Sequence, residues 1–422
     1  MLFGIFRMWI GGLISLAMCV AIVLLVREWY HRLPEPSSEV VVASADGIPI
    51  HEASATSTVI GRISAWKPGF DLATACFVGA MILSFTGVGG GRLFYWLVLP
   101  HRVDDPRHER HGPVQRISRP DGSELQVEVS GQPDGPTVIL THGWGASTTE
   151  WFYLRRQLAG RYRLVCWDLP GLGKSRSPDD HNFSLDKLAA DLKSVLDEAG
   201  GPAPVVLAGH SIGGMITLNF AKNYPQELGA RVSGLALVHT TPTNPVKTTE
   251  GIAILTPIQN LVLTPMAYAM IGLSPMVWIM NVLSYLNGSM HRSTYKDSFS
   301  KAGTWGQVEF VSRYVFQVWP ATYARGMLGM LRYDATEALS QIKIPVLVVS
   351  GDKDKVCKPE ASRMLKDGIS SGELVTLSPA GHFGLLSSHE EFGRAIESFL
   401  ERHLGDKALS PVNVHVAEIS PD

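Results

Sequence analysis

The sequence is short of cysteine and short of net charge, and each shortage removes a class of protein. Four cysteines, Cys19, Cys76, Cys166 and Cys357, occur in 422 residues. They show neither C-x-x-C spacing nor the pattern of a secreted disulfide scaffold. They read as structural thiols and leave the redox compartment open. Lysine and arginine number 37 against 39 acidic residues, a net charge of -2. Without a basic excess or stripe there is no electrostatic footprint for nucleic acid. Charged residues make up only 18% and hydrophobic ones 45%, which leans towards the membrane. The histidines contain no H-E-x-x-H. In HERH (108–111) the two rings stand three apart, so that segment does not suit zinc.

Charge is missing altogether from two amino-terminal runs. Residues 8–26, MWIGGLISLAMCVAIVLLV, form a helix of about 28 Å at ~1.5 Å per residue, close to the hydrocarbon thickness of a bilayer. The following REWYHRLPEP offers no small-residue cleavage site, so the run reads as a retained anchor and not as a signal peptide. Residues 72–91, LATACFVGAMILSFTGVGGG, are long enough for a second crossing; a buried or re-entrant segment is the alternative. Arg27, Arg32, Arg62 and Lys67 lie between the runs, against Arg7, Arg92, Arg102, Arg107 and Arg110 outside them. The positive-inside rule therefore selects no orientation. The anchor region takes up residues 1–100, and the charged segment 101–113 reads as a linker at a domain boundary.

Beyond residue 114 the pattern changes. Residues 115–117 and 125–129 flank a Pro-Asp-Gly turn signal and read as a hairpin. Short apolar runs at 137–140, 164–167, 205–207, 234–238, 346–349 and 374–376 then alternate with helical periods at 148–159, 184–198, 213–224, 360–368 and 389–403. The alternation predicts an α/β fold, a mostly parallel sheet with helices on both faces. In such sheets the reactive groups gather beyond the carboxyl ends of the strands. Ser211, Asp354 and His382 each fall there.

Ser211 sits in LAGHSIGGM (207–215). With 41 glycines in the chain, one Gly-x-Ser-x-Gly is weak evidence by itself. A strand that turns sharply into a helix, however, needs small residues on either side of a strained serine, and Gly209 and Gly213 supply them. The turn also aims the Ile212 N–H at a developing oxyanion. A serine hydroxyl needs a base, and His382 in SPAGHFG is the candidate. His142 and His210 lie too near their own strand ends and suit packing or turn roles. His389 suits a solvated or capping position. The imidazole in turn needs a carboxylate. GDKDKV offers Asp354, with Asp352 as the alternative, although Asp352 could simply brace the turn. THGWG (141–145) offers the Trp144 N–H as second oxyanion donor, with its indole as a wall of the pocket. GLGKS resembles a phosphate loop, but Asp168 stands where that loop needs its first glycine.

HGWG, DLPGLGKS, GHSIGG, GDKD and AGH together resemble the α/β-hydrolase superfamily, in its serine esterase and lipase branch, over roughly residues 124–403. The resemblance implies a Ser211–Asp354–His382 triad, an oxyanion hole from Trp144 and Ile212, and a cap inserted after the sixth strand. It implies a core of residues 114–241 and 336–405, a helical cap of 242–335 and a tail of 406–422. No metal or organic cofactor is called for. Residues 251–291 carry no charged side chain. Pro257, Pro265 and Pro275 are expected to cut this run into pieces too short to cross a bilayer. The chain therefore reads as an integral membrane serine hydrolase of carboxylic esters, with a small-molecule or lipid ester as substrate and membrane lipid as neighbour. An acyltransferase or perhydrolase using the same triad is one alternative. A membrane scaffold without chemistry is another. Membrane side and oligomeric state stay open.

Overall fold

A computed structural model describes residues 2–34, 42–43, 49–50, 57–110, 112–201 and 204–404. The tail expected at 406–422 lies outside the described residues. The amino-terminal region opens with α1 (Leu2–Arg32), a short antiparallel pair β1 (Val42–Ala43) and β2 (Pro49–Ile50), and α2 (Ser57–Ala65). Then α3 (Leu72–Ser84) passes through a π turn at Phe85–Gly89 into α4 (Gly90–Val98). Both long helices outrun the charge-free stretches expected at 8–26 and 72–91. In α1 the backbone ladder continues past Arg27, and the Arg32–Glu28 pair supports its last turn. In α4 the helix crosses Arg92, whose guanidinium is 3.0 Å from Glu309. Asp71 caps the start of α3 by accepting the Thr74 N–H. By length and composition Ile10–Arg32 and Leu72–Val98 each suffice to cross a membrane.

The two helices run antiparallel. Leu25 lies opposite Gly79 and Met18 opposite Gly87, and the Ser15 hydroxyl donates to the Gly87 carbonyl at 2.8 Å. Trp29, Trp66 and Phe77 cluster at one end.

The segment expected to be a linker is tied down. His108 stacks on Phe310, and Arg110 pairs with the buried Glu128 and Asp168. After it come β3 (Val114–Ser118), β4 (Glu124–Gly131), β5 (Thr137–Thr141), α5 (Phe152–Leu158), β6 (Arg163–Trp167), α6 (Leu185–Ala199), β7 (Val205–His210), α7 (Ile212–Asn223) and β8 (Val232–Val238). The chain then makes α8 (Pro245–Thr248), α9 (Gln259–Gly272), α10 (Ser274–Leu286), α11 (Ser289–Ser293), α12 (Trp305–Gln317) and α13 (Pro320–Met330). It returns through β9 (Val346–Gly351), α14 (Pro359–Gly368), β10 (Gly372–Leu377), α15 (Gly384–Ser387) and α16 (His389–Leu404).

The eight strands β3–β10 form one sheet in the order β10-β9-β8-β7-β5-β6-β4-β3, antiparallel at β3–β4–β6 and parallel elsewhere. Because side chains alternate along a strand, each strand feeds two cores. Ile139, Val165 and Leu207 pack under α6 and α7. Val138, Leu140, Val206 and Ala208 pack under α5 and α16. This is the α/β-hydrolase fold that the motifs imply.

One expectation about the apolar run fails. Pro265 lies inside α9 without ending it, Pro257 lies inside a 3-10 turn, and Pro275 opens α10. One missing N–H removes one ladder bond, and the flanking turns hold. Ala253–Gly272 is consequently long and apolar enough to cross. A single crossing there is nevertheless incompatible with the fold, since the strands on either side of it, β8 and β9, are hydrogen-bonded neighbours.

Phe399 of α16 is fully buried against Gly234 of β8. Phe399→Ala is expected to lower stability by about 3–5 kcal/mol, read as a fall in the unfolding midpoint of the purified protein.

Candidate active site

The nucleophile candidate stands where β7 breaks into α7. Ser211 has φ +54° and ψ −119°, a conformation that costs a non-glycine residue about 1–3 kcal/mol. Its N–H donates to the Val238 carbonyl at 2.9 Å, and its own carbonyl accepts the Thr240 hydroxyl at 2.6 Å. The turn closes only because its flanks lack side chains. A Cβ on Gly209 would lie 2.2 Å from the Gly213 carbonyl oxygen, and one on Gly213 would lie 2.2 Å from that of Thr141.

Two loops at the same sheet edge bring the partners. The loop after β10 carries His382, whose Nε2 lies 3.0 Å from Ser211 Oγ. The loop after β9 carries Asp354, whose Oδ2 lies 2.9 Å from His382 Nδ1. The other carboxylate oxygen, Oδ1, accepts the N–H groups of Val356 and Cys357 at 2.8 and 2.9 Å. A carboxylate acceptor puts the proton of His382 on Nδ1 and leaves Nε2 as an acceptor facing the hydroxyl. Asp352, the alternative acid, instead receives the Ala380 N–H and the Ser378 hydroxyl and braces its own loop.

A third ring joins this group that the motifs do not mark. His239, directly after β8, places Nδ1 3.2 Å from the same Asp354 Oδ2. Burial lowers its pKa below the ordinary value against the pull of Asp354, so it donates as a neutral ring. Burial alone raises the Asp354 carboxyl. The electrostatic attraction of the His382 ring and the hydrogen bonds from His239 and His382 outweigh it and hold the group well below the usual carboxylate range. The only sequence signal for His239 is its place at the end of an apolar strand.

Behind the site lies a second buried couple. Glu150 Oε1 is 2.9 Å from His210 Nδ1, Glu150 Oε2 accepts the Gly143 N–H at 2.9 Å, and His210 Nε2 is 3.0 Å from the His382 carbonyl oxygen. Burial works against the charge on both partners. The Glu150 carboxylate still raises His210, and His210 in turn lowers Glu150. This pair ties the 143–145 loop to the backbone of His382, a larger role than the turn position expected for His210. Glu150 shows no distinguishing pattern in the sequence.

Trp144 lines the same cavity as Ser211. Its indole N–H donates to the Tyr323 carbonyl of α13 at 3.0 Å, so the ring fastens the loop to the cap. Ile212 opens α7, and its N–H is among those with no acceptor inside the helix. Asp168 accepts the N–H groups of Thr148 and Lys174 and so braces its loop. His142 holds the Leu169 N–H. His389 is half-buried and stacks on Tyr153 instead of standing in solvent. Among the described residues no three His, Cys, Asp or Glu side chains converge as a metal-ligand set. The cavity holds about 200 Å³, and its walls include Met215, Met270, Val318, Met327, Met330 and Leu331.

Residues 138–395 match the family described as alpha/beta hydrolase. The chain is 28% identical over 294 residues to a 2-hydroxy-6-oxononadienedioate/2-hydroxy-6-oxononatrienedioate hydrolase of Escherichia coli, covering 67% of this chain and 93% of the relative. It is 24% identical to Lipase 1 of Psychrobacter immobilis, over 68% of this chain and 85% of that one. The solved esterase EaEST of Exiguobacterium antarcticum superposes with a TM-score of 0.56 at 21% identity, over 69% of this chain and 99% of that chain.

Gly213→Ala is expected to displace the Ser211 turn and lower the rate of Ser211 labelling by a fluorophosphonate at least ~100-fold while the protein still folds, since a 1 Å misplacement costs about that much; labelling kinetics beside circular dichroism check it. The Glu150–His210 pair adds a signed pH dependence. A raised His210 stabilises fully below its ordinary 6.5 and loses this as pH climbs through its folded value. A lowered Glu150 stabilises above 4.5 and loses this as pH falls through its folded value. The Tm difference between wild type and Glu150→Gln should therefore be largest between pH 4.5 and 6.5 and shrink on the alkaline side, measured by scanning calorimetry.

Proposed function

The chain belongs to the alpha/beta hydrolase family, and from that premise we propose that it is a membrane-anchored serine hydrolase of lipophilic carboxylic esters. The observation that carries the proposal is the unbroken chain from Ser211 Oγ through the His382 ring to Asp354, with links of 3.0 and 2.9 Å. His382 Nε2 takes the Ser211 proton as Oγ attacks the ester carbonyl. Asp354 steadies the imidazolium through Nδ1–H. The main-chain N–H groups of Ile212 and Trp144 receive the oxyanion, each worth about 3–4 kcal/mol in the transition state. His382 then hands its proton to the leaving alcohol, and an acyl group remains on Ser211. Water, deprotonated by the same ring, attacks that acyl group and releases the acid.

The strained turn favours an enzyme over a scaffold. A scaffold has no use for a serine held at φ +54°, whereas a nucleophile needs its hydroxyl lifted clear of the strand. The methionine-rich wall of the cavity suits a flexible acyl chain, because unbranched thioethers adapt to irregular apolar shapes. Two helices of membrane-spanning length before residue 100 support the anchor.

A fluorophosphonate probe is expected to label wild type and to leave Ser211→Ala unlabelled, with kcat of that variant falling by roughly 10⁵–10⁶. Labelling that persists in Ser211→Ala contradicts the nucleophile assignment. Hydrolysis that falls steadily as the acyl chain lengthens contradicts the lipophilic substrate and leaves the esterase.

A further inference from the structure

The anchor does more than tether the catalytic core, because it is built into the cap. Gly12 of α1 lies against the backbone of α10, where a Cβ would come within 2.6 Å of the Met280 carbonyl oxygen. Asn287, just after α10, donates its amide to the Gly11 carbonyl and the Ser15 hydroxyl of α1. From the other anchor helix, Arg92 reaches Glu309 of α12 at 3.0 Å and lies over the Tyr285 ring of α10. Close approach of helices through glycine, fastened by a polar side chain, is how spanning helices associate in lipid.

This docking sets the depth of the cap. The contacts at Gly11, Gly12 and Ser15 fall within the first eight residues of the charge-free run that opens at Met8, after Arg7. At ~1.5 Å per residue α10 therefore meets the anchor roughly 4–11 Å from the Arg7 end of that run. That is the depth at which interfacial helices rest, about 5–10 Å into the headgroup and acyl boundary.

The face that α9 and α10 turn away from the protein fits such a place. Leu261 and Tyr268 on α9, Leu273 between the helices, and Met276, Trp278 and Ile279 on α10 are all exposed. No charged residue interrupts them. The helices packed against α10 expose apolar side chains of their own, Ile10, Leu13 and Ile14 on α1 and Phe94, Trp96 and Leu97 on α4. On their inner side the same two helices line the Ser211 cavity through Met270 and Asn281. An exposed, uncharged apolar face marks an interaction surface, and its packing beside two helices of membrane-spanning length names the occupant.

We infer that the outer face of α9–α10 is immersed in the bilayer that the anchor spans, so that the enzyme takes its ester from that bilayer through the cap. This rests on the membrane-anchored hydrolase reading of the preceding subsection and adds the route and the source of the substrate. The amino terminus and the catalytic core then lie on the same side of the membrane, because the antiparallel α1 and α3–α4 carry the chain across and back.

The test uses the full-length protein in dioleoyl phosphatidylcholine vesicles. Wild type is compared with the double variant Leu261→Glu, Ile279→Glu and with Met364→Glu, an apolar site on α14 about as exposed as Ile279. Turnover of 4-methylumbelliferyl oleate dissolved in the bilayer should fall at least tenfold in the double variant and less than twofold in Met364→Glu. Turnover of water-soluble 4-methylumbelliferyl acetate, and flotation with the vesicles, should not change in either. Equal oleate turnover in all three proteins overturns the inference. A second measurement is independent of catalysis. Bimane attached at Ile279→Cys should be quenched by dibrominated phosphatidylcholine after subtraction of labelling on the unsubstituted protein, and bimane at Met364→Cys should not. No quenching at 279 overturns the inference. Quenching at 279 in a protein that cleaves neither ester upholds the docking and contradicts the hydrolase reading instead.

Discussion

Ser211 Oγ and His382 Nε2 lie 3.0 Å apart although 171 residues separate them in the chain. Everything between them has to leave the sheet edge and return to it. Between β8 and β9 the chain makes six helices, and the strands nonetheless pair in parallel from Leu235–Val346 to Val238–Val349. The sheet is therefore the ruler that sets the spacing of the candidate reactive groups. Ser211, His239, Asp354 and His382 all stand beyond the carboxyl ends of adjacent strands, where neighbouring backbones are about 4.8 Å apart. The strain at Ser211 is sustained by the same arrangement, because β5 and β8 hold the turn from either side through Thr141 and Val238.

Charge is distributed to suit this frame. Each buried acid near the site is met by at least one buried or half-buried partner: Asp354 by His382 and His239, Glu150 by His210, Asp168 by Arg110. Ionised groups away from water are tolerated when they are paired and hydrogen-bonded in this way. The Glu150–His210 couple also joins the loop bearing Trp144 to the loop bearing His382. Movement of one loop is therefore felt by the other. On α12 Glu309 plays a similar joining part between Arg92 of α4 and His291 and Arg313.

Much of the core is legible in the sequence because it obeys local rules. The strands at 137–140, 205–207 and 346–349 were bounded by turn residues, and each extends only one to three residues further in the structure. Glycines at 209 and 213 carry a steric reason that any strand-to-helix turn imposes. What the sequence hides is set by distant contacts. His239 and Glu150 gain their roles from residues 115 and 60 positions away, and no local pattern marks such partners. Arg92 reads as the charge that ends a membrane run, but Glu309, 217 residues on, takes it up and the helix continues. Pro265 reads as a breaker, yet packing of α9 against α13 outweighs the one lost backbone bond. In each case tertiary contacts override a local preference of a few kcal/mol or less.

The account stands or falls on the passage of an acyl group through Ser211. The most direct measurement is peptide mass spectrometry of wild-type enzyme quenched in acid during turnover of a long-chain ester. The expected result is one peptide, containing Ser211, heavier by the acyl group of the substrate, with the adduct decaying once the ester is exhausted. Steady product release with Ser211 unmodified throughout, or an acyl group carried on a different residue, contradicts it.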